Sequence, residues 1–237
     1  MKSVKFRMIA IALLSATMPF TAKAQDKVEA SVGADFVSNY IWRGTDCGGV
    51  SIQPSMGVSY KGLSLTAWGS VGIDKEDARE IDLTLGYNTG GFSVSVTDYW
   101  FSYHKEDGGY TGDYFKYGAH STVHIFEATL GYDFGPLALS WNTYFAGDDY
   151  TQENGDRAYS TYVGISAPFK LGGLDWSAEV GLTPWEGAYA NKFNVTNLTL
   201  KAEKEIKFTN SFSLPTFAQV TFNPHTQGAY FVFGVSF

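Results

Sequence analysis

From Val28 to its last residue the chain returns again and again to one pattern: runs in which every second side chain is apolar, each run stopped by Gly, Asn, Asp, Ser or Pro. Ile52, Pro54, Met56, Val58 and Tyr60 alternate with Ser51, Gln53, Ser55, Gly57 and Ser59. Leu174, Trp176, Ala178, Val180 and Leu182 alternate with Asp175, Ser177, Glu179 and Gly181. In the last run Ala229, Phe231, Phe233, Val235 and Phe237 share one parity. Successive side chains of a strand point to opposite faces, so each run has one apolar face and one small, polar or charged face. No interval reads as an amphipathic helix, and the fold class expected is all-β.

Twelve strands are expected, at roughly 28–43, 50–60, 63–73, 79–88, 91–103, 119–132, 137–147, 157–169, 173–183, 193–206, 211–222 and 228–237. A sandwich or a lipocalin would turn the apolar faces inward, whereas a transmembrane barrel turns them outward. The connections favour the second. Those after even strands are short: YKG at 60–62, NTGG at 88–91, DFGP at 133–136, KLGG at 170–173 and KFTNS at 207–211. Those after odd strands are generally longer and more polar, including 74–80, 104–120 and 147–157. Short turns on one rim and long loops on the other mark an up-and-down membrane barrel. Lipid offers no partner to a free strand edge, so the last strand must pair with the first, and an even count returns both ends to the short-turn rim. The expected fold is a closed antiparallel transmembrane β-barrel of about 12 strands.

Aromatic residues make up 16% of the chain, and their placement fits such a barrel. Tyr60, Tyr87, Tyr132, Phe169 and Phe237 sit at turn ends, and Tyr40 and Trp42 near the loop end of the first strand; together they are expected to form two interfacial girdles. Residues 1–24 read as a cleaved signal peptide, with Lys2, Lys5 and Arg7 before an apolar run and Ala22-Lys23-Ala24 as the cleavage site. The remainder, 25–237, reads as one barrel domain. Outside the N-terminus no run of 18 apolar residues occurs, so a helical span is not expected. Cleavage would remove four of the 17 basic and none of the 24 acidic residues, leaving 13 against 24, a net charge of −11. An exported chain so acidic is a poor binder of nucleic acid. The single Cys47 cannot form an internal disulfide, so stability must come from the sheet.

Two strands have an uncertain phase. Asp98 takes the same parity as Phe92, Val94 and Val96, which suggests a bulge or an early exit near Thr97, and a similar slip is expected between Val195 and Leu198.

If the apolar parity faces lipid, the other parity lines the interior. It carries Asp35, Asn39, Asp82, Glu127, Asp175, Glu179, Glu203 and Glu205 against Arg43 and Lys201. Such an interior, if open, would pass small hydrophilic solutes or ions and favour cations. The alternatives are that the charges pair and fill a narrow interior, or that the barrel is plugged and its long loops bind a ligand or a surface. Loop 104–120 divides these: folded inward it would constrict a pore, and extended outward it would be a binding surface.

Catalytic and metal-binding patterns are weak. His104, His120, His124 and His225 are candidates for a lipid hydrolase, but none lies in an H-x-S-N-G context, so no enzyme is expected. Asp148, Asp149, Glu153 and Asp156 lack the loop pattern of a calcium site and read as solvated charge, and Cys47 reads as a loop residue. No zinc, phosphate or dinucleotide motif occurs, and neither metal nor cofactor is expected.

One segment is more distinctive. Asp35 is followed by S-N-Y-I-W-R-G at 38–44, a Pro-containing strand with Pro54, a Trp-containing strand with Trp68, then E-I-D-L at 80–83 and G-Y at 86–87. This succession resembles the TorF-like porins, also called the Gcw_chp domain family, over about the first third of the chain after the signal, with Glu127 and the terminal Phe237 as further points of similarity. The resemblance implies an outer-membrane barrel regarded as a porin, with no established catalytic residues or substrate. The later strands depart from that pattern at Tyr162-Val163-Gly164. A terminal aromatic such as Phe237 also resembles the signal read by the outer-membrane assembly machinery, making that machinery and outer-membrane lipid the expected partners.

Overall fold

The computed structural model describes residues 27–105, 109–119, 121–210 and 212–237; the signal-peptide reading lies outside them. The strands in chain order are β1 (Glu29–Val37), β2 (Tyr40–Trp42), β3 (Thr45–Gly48), β4 (Ser51–Tyr60), β5 (Leu63–Gly72), β6 (Arg79–Thr89) and β7 (Phe92–Ser102). They continue as β8 (His124–Asp133), β9 (Ala138–Gly147), β10 (Thr161–Leu171), β11 (Leu174–Thr183), β12 (Asn194–Lys207), β13 (Ser213–Asn223) and β14 (Gly228–Ser236). Twelve of them, β1 and β4 to β14, close into one antiparallel up-and-down barrel in which each strand pairs with its neighbours in sequence. The other two, β2 and β3, form a separate hairpin.

Closure is made between the two ends of the chain. Asp35, Phe36 and Val37 of β1 pair with Ser236, Val235 and Gly234 of β14, and below them Ala34 and Phe237 exchange two backbone bonds of 3.2 and 2.9 Å. The seam is short because β1 stops at Val37. The first strand, expected over 28–43, ends early because Ser38 turns the chain inward. Its amide bonds the Phe233 carbonyl at 2.8 Å, and its hydroxyl accepts the Phe233 N–H at 2.9 Å, ending the ladder.

The faces are inverted relative to a soluble sheet protein. Val32, Ile52, Met56, Val58, Leu65, Leu85, Val96, Leu130, Phe231 and Phe233 are exposed on the outer wall. Ser51, Gln53, Ser55, Asn142, Thr199, Lys201, Gln219 and Thr221 are buried inside it. Water would penalise such an outer surface, whereas hydrocarbon would accept it while the closed ladder satisfies the backbone. Tyr60, Tyr87, Tyr132, Phe169 and Phe237 are exposed at the short-turn rim, as expected.

Register explains the two uncertain phases differently. Gly181 pairs Asn197 while Leu182 pairs Val195, which leaves Thr196 as the extra residue of a bulge where the sequence placed a slip. No bulge exists near Thr97: β6 and β7 pair without a break from Arg79 and Ser102 to Thr89 and Phe92. Asp98 therefore stays on the outer wall.

Candidate functional site

The inward turn at Ser38 builds the site. β2 and β3 are joined by a two-residue turn, Arg43-Gly44, with φ of 51° and 80°. Positive φ at both positions is the twist-matched hairpin geometry, and it holds Arg43 in a left-handed conformation that costs a non-glycine residue about 1–3 kcal/mol. Contacts made by the hairpin tip offset that cost. The Gly44 carbonyl accepts Asn223 Nδ2 of β13 at 3.0 Å, and a Cβ at Gly44 would lie 1.9 Å from the Thr196 carbonyl oxygen of β12. The hairpin thus crosses the interior from the β1–β4 side to the wall of β12 and β13.

Arg43 is the centre of this contact. Nη1 donates to Glu127 Oε2 at 2.5 Å and Nη2 to Glu127 Oε1 at 2.9 Å, a forked pair in which the two residues are only 5% and 1% exposed. Nη1 also donates to the Tyr189 hydroxyl at 2.5 Å, and the guanidinium carbon lies 4.3 Å from the Trp42 ring and 4.8 Å from that of Tyr162. Tyr99 donates to Glu127 Oε1 at 2.9 Å, and Tyr189 to the Tyr144 hydroxyl at 3.1 Å. Four tyrosines, Tyr99, Tyr144, Tyr162 and Tyr189, pack here with Trp42, Phe101 and Ile125. Tyr189 comes from the β11–β12 connection, so part of a second loop also faces the interior.

The predicted interior residues divide around this plug. Glu127 is bound to Arg43, and Glu179 accepts the Tyr162 hydroxyl at 2.5 Å and Asn197 Nδ2 at 3.0 Å. Lys201 is paired with Glu203, and its ammonium lies 4.3 Å from the Phe217 ring. Asp175 pairs with Lys170 at 2.6 Å near the short-turn rim, where Asp175, Glu203, Glu205 and Ser236 help line a cavity of about 140 Å³. Asp35 pairs with Ser236 in the seam register. Asp82 is buried on the inner face of β6 and lines a second cavity of about 170 Å³ beneath the hairpin. Asn39 stands half-buried in the bend between β1 and β2, outside the wall strands.

Two sequence expectations are overturned here. Tyr40 and Trp42 do not join an outer girdle: Tyr40 packs 5.5 Å from Trp68, and Trp42 packs 5.6 Å from Tyr99 and 6.3 Å from Tyr189, all inside. Strand parity misassigned them because the strand had already ended at Val37. Cys47, read as a loop residue, belongs to β3 of the same hairpin and is a partly buried free thiol.

The described residues of loop 104–120 neither enter the barrel nor extend away from it but lie against the outer wall. The Arg79 guanidinium sits 3.7 Å from the Tyr110 ring, Ser102 Oγ donates to the Thr111 carbonyl at 2.6 Å, and Tyr114 packs 5.4 Å from Trp100. Under this flap His124 Nδ1 lies 2.7 Å from Asp98 Oδ1, and Nε2 lies 2.7 Å from the Tyr114 carbonyl. Tyr117 covers the pair, with its ring 4.2 Å from that of His124. An acid on the outward-facing, otherwise apolar parity is accommodated by a histidine and an aromatic cover, which no local pattern around Thr97 could reveal.

Of the remaining candidates, His104 packs edge-on against Tyr110 and His225 Nδ1 lies 3.0 Å from Asn194 Nδ2, while His120 falls outside the described residues. Asp149 accepts the Ser160 amide and hydroxyl, and Asp156 accepts Asn154 Nδ2 at 2.9 Å. These acids brace their own loops.

The tyrosine cluster was not singled out from the sequence. One signal was present: Gly181 sits on the inner parity of β11, and its missing side chain makes room for the Tyr162 hydroxyl, 2.0 Å from where a Cβ would be. Small inner residues beside a large aromatic mark a filled interior.

The fold defines a class: a closed twelve-stranded β-barrel of channel-like architecture, with its interior crossed by an internal hairpin. No protein-family model matches the chain, and no curated protein matches it.

Proposed function

We propose that the protein is an outer-membrane channel for small hydrophilic solutes or ions, closed in this conformation by the β2–β3 hairpin and favouring cations when the hairpin moves. The observation that carries this reading is the hairpin itself. It is a short excursion from the wall, attached at both ends to barrel strands, and it is held across the interior by side-chain contacts: the forked Arg43–Glu127 pair, the Arg43–Tyr189 bond, the Asn223 bond to the Gly44 carbonyl and the ring packing of Tyr40 and Trp42. Moving it leaves all twelve wall strands paired.

Charge sets the expected selectivity. The inward parity carries Asp35, Asp82, Glu127, Asp175, Glu179, Glu203 and Glu205 against Arg43, Lys201 and the Lys170 that pairs with Asp175, so a cleared interior is net acidic. The resemblance to TorF-like porins supports the same reading through the same residues, since S-N-Y-I-W-R-G is the segment that folds inward. No cofactor or covalent step is needed for such passage, and Phe237 in the closing seam is the proposed assembly signal.

Reconstitution into a planar bilayer under a potassium chloride gradient tests the proposal. Stepwise conductance with a cation-favouring reversal potential supports it. A barrel that stays silent with the hairpin both present and removed contradicts it. That silent outcome is the second reading, a permanently plugged barrel whose loops act outside, which the deep burial of the Arg43–Glu127 pair favours.

A further inference from the structure

We infer that the cavity beneath the hairpin is a binding site for a small organic ammonium cation, with Asp82 as its counter-ion. The site is assembled by strand register. On the inner wall Asp82 of β6 lies directly between Trp68 of β5 and Tyr99 of β7. The hairpin roofs this row, with Tyr40 packed 5.5 Å from Trp68 and Trp42 packed 5.6 Å from Tyr99. All five side chains line the cavity of about 170 Å³, a size that suits one benzene-sized molecule.

Asp82 is the unusual member. It is 8% exposed, and its Oδ1 is buried without a hydrogen-bond partner. Glu80, 5% exposed and two residues back on the same face, adds a second buried carboxyl in side-chain contact with Asp82 and hydrogen-bonded to Tyr40 of the roof, so only Asp82 Oδ1 is left open toward the cavity. Among the described residues neither acid has an ion pair. Arg43 also lines the cavity, but Glu127 takes its charge through both carboxylate oxygens. A buried carboxylate oxygen left unmatched costs free energy until a cation or a donor reaches it.

The surroundings select the kind of cation. A hard metal ion wants six or more oxygen ligands, and this wall offers aromatic faces instead. A weakly hydrated alkylammonium gains from ring faces and from one carboxylate together, the combination found in aromatic cages. As a step in permeation the inference rests on the channel reading, but binding is measurable without conductance.

The test is equilibrium binding of tetramethylammonium chloride to the folded barrel in detergent at constant ionic strength, followed by calorimetry and by tryptophan fluorescence. Saturable binding is expected. Asp82→Asn should weaken it about tenfold or more, the loss expected for a charge-assisted contact. Trp68→Leu should weaken it with the charge kept, and Asp156→Asn in an outer loop should leave it unchanged. The uncharged 3,3-dimethyl-1-butanol, which presents a tert-butyl group of similar shape without the charge, should bind far more weakly. Absence of saturation in the folded wild-type protein, undiminished binding to Asp82→Asn, or displacement by an equal concentration of potassium overturns the inference. Binding by a barrel that never conducts leaves the site standing and removes the channel, whereas conductance without binding does the reverse.

Discussion

Arg43 and Glu127 are 84 residues apart in sequence, and two hydrogen bonds of 2.5 and 2.9 Å join them inside the barrel, one on the tip of an inward hairpin and the other on the wall. The pair is closed from water, so its two halves are not equivalent to two surface charges. Removing one partner from a buried pair leaves the other uncompensated, at a cost of about 3–5 kcal/mol. Arg43→Ala is therefore expected to release the hairpin, raise conductance and shift the reversal potential further toward cations. Arg43→Lys should restore little, because an ammonium cannot form the fork. A reversal potential unchanged by Arg43→Ala would place Arg43 off the conducting path.

Gly44→Ala tests the plug without altering charge. A Cβ at this position would collide with the Thr196 carbonyl, 1.9 Å away, in a backbone conformation with φ of 80°. The hairpin must withdraw, and Cys47 reports it. Burial, then the nearby carboxylates of Glu80 and Asp46, push the Cys47 thiol above its ordinary range. The thiolate is the reactive form, so at mildly alkaline pH maleimide should label the wild-type protein slowly and Gly44→Ala faster. Equal labelling rates would mean that the hairpin does not move.

The outer flap makes a separate prediction. Asp98→Leu restores the apolar parity of β7 but deprives His124 of the carboxylate 2.7 Å from its Nδ1. The flap should loosen, and proteolysis at Lys105 or Lys116 from the outer side should accelerate while conductance stays as it was. Protection equal to the wild type would show that the aromatic contacts suffice without the ionic one.

At the seam, deleting Phe237 removes both backbone bonds to Ala34 and the aromatic group exposed at the short-turn rim. The yield of folded barrel in the membrane fraction, read by heat-modifiable gel mobility, should fall, and the barrels that do form should conduct normally. A normal yield would remove Phe237 from any role in assembly.

Much of this architecture was legible in the sequence because a barrel strand reports its two faces residue by residue. The alternation in Ser51–Tyr60 and the shortness of 60–62 and 170–173 suffice to order neighbouring strands and to turn Asp82, Glu127 and Glu179 inward. The departures share one physical origin: parity holds only while the chain stays in the wall. Tyr40 and Trp42 keep the apolar parity of β1, yet Ser38 has already capped that strand through its hydroxyl. Asp98 breaks parity within an unbroken ladder because its partners, His124 and the 109–119 segment, come from beyond the strand. Tyr189 entered the site from a loop whose direction no periodicity records. The W-R-G-T run at 42–45 did carry a two-residue turn with glycine at its second position, the one local sign of a hairpin inside what looked like continuous strand.

In the proposed channel the β2–β3 hairpin is the element that shuts the twelve-stranded barrel. Single-channel recording of the wild-type protein beside a variant in which Tyr40–Gly48 is replaced by a short Gly-Ser turn tests it most directly. The wild-type barrel is expected to stay closed or open only briefly, and the variant to fold to the same barrel and conduct steadily with a cation-favouring reversal potential. A correctly folded variant that conducts no better than the wild type would contradict it.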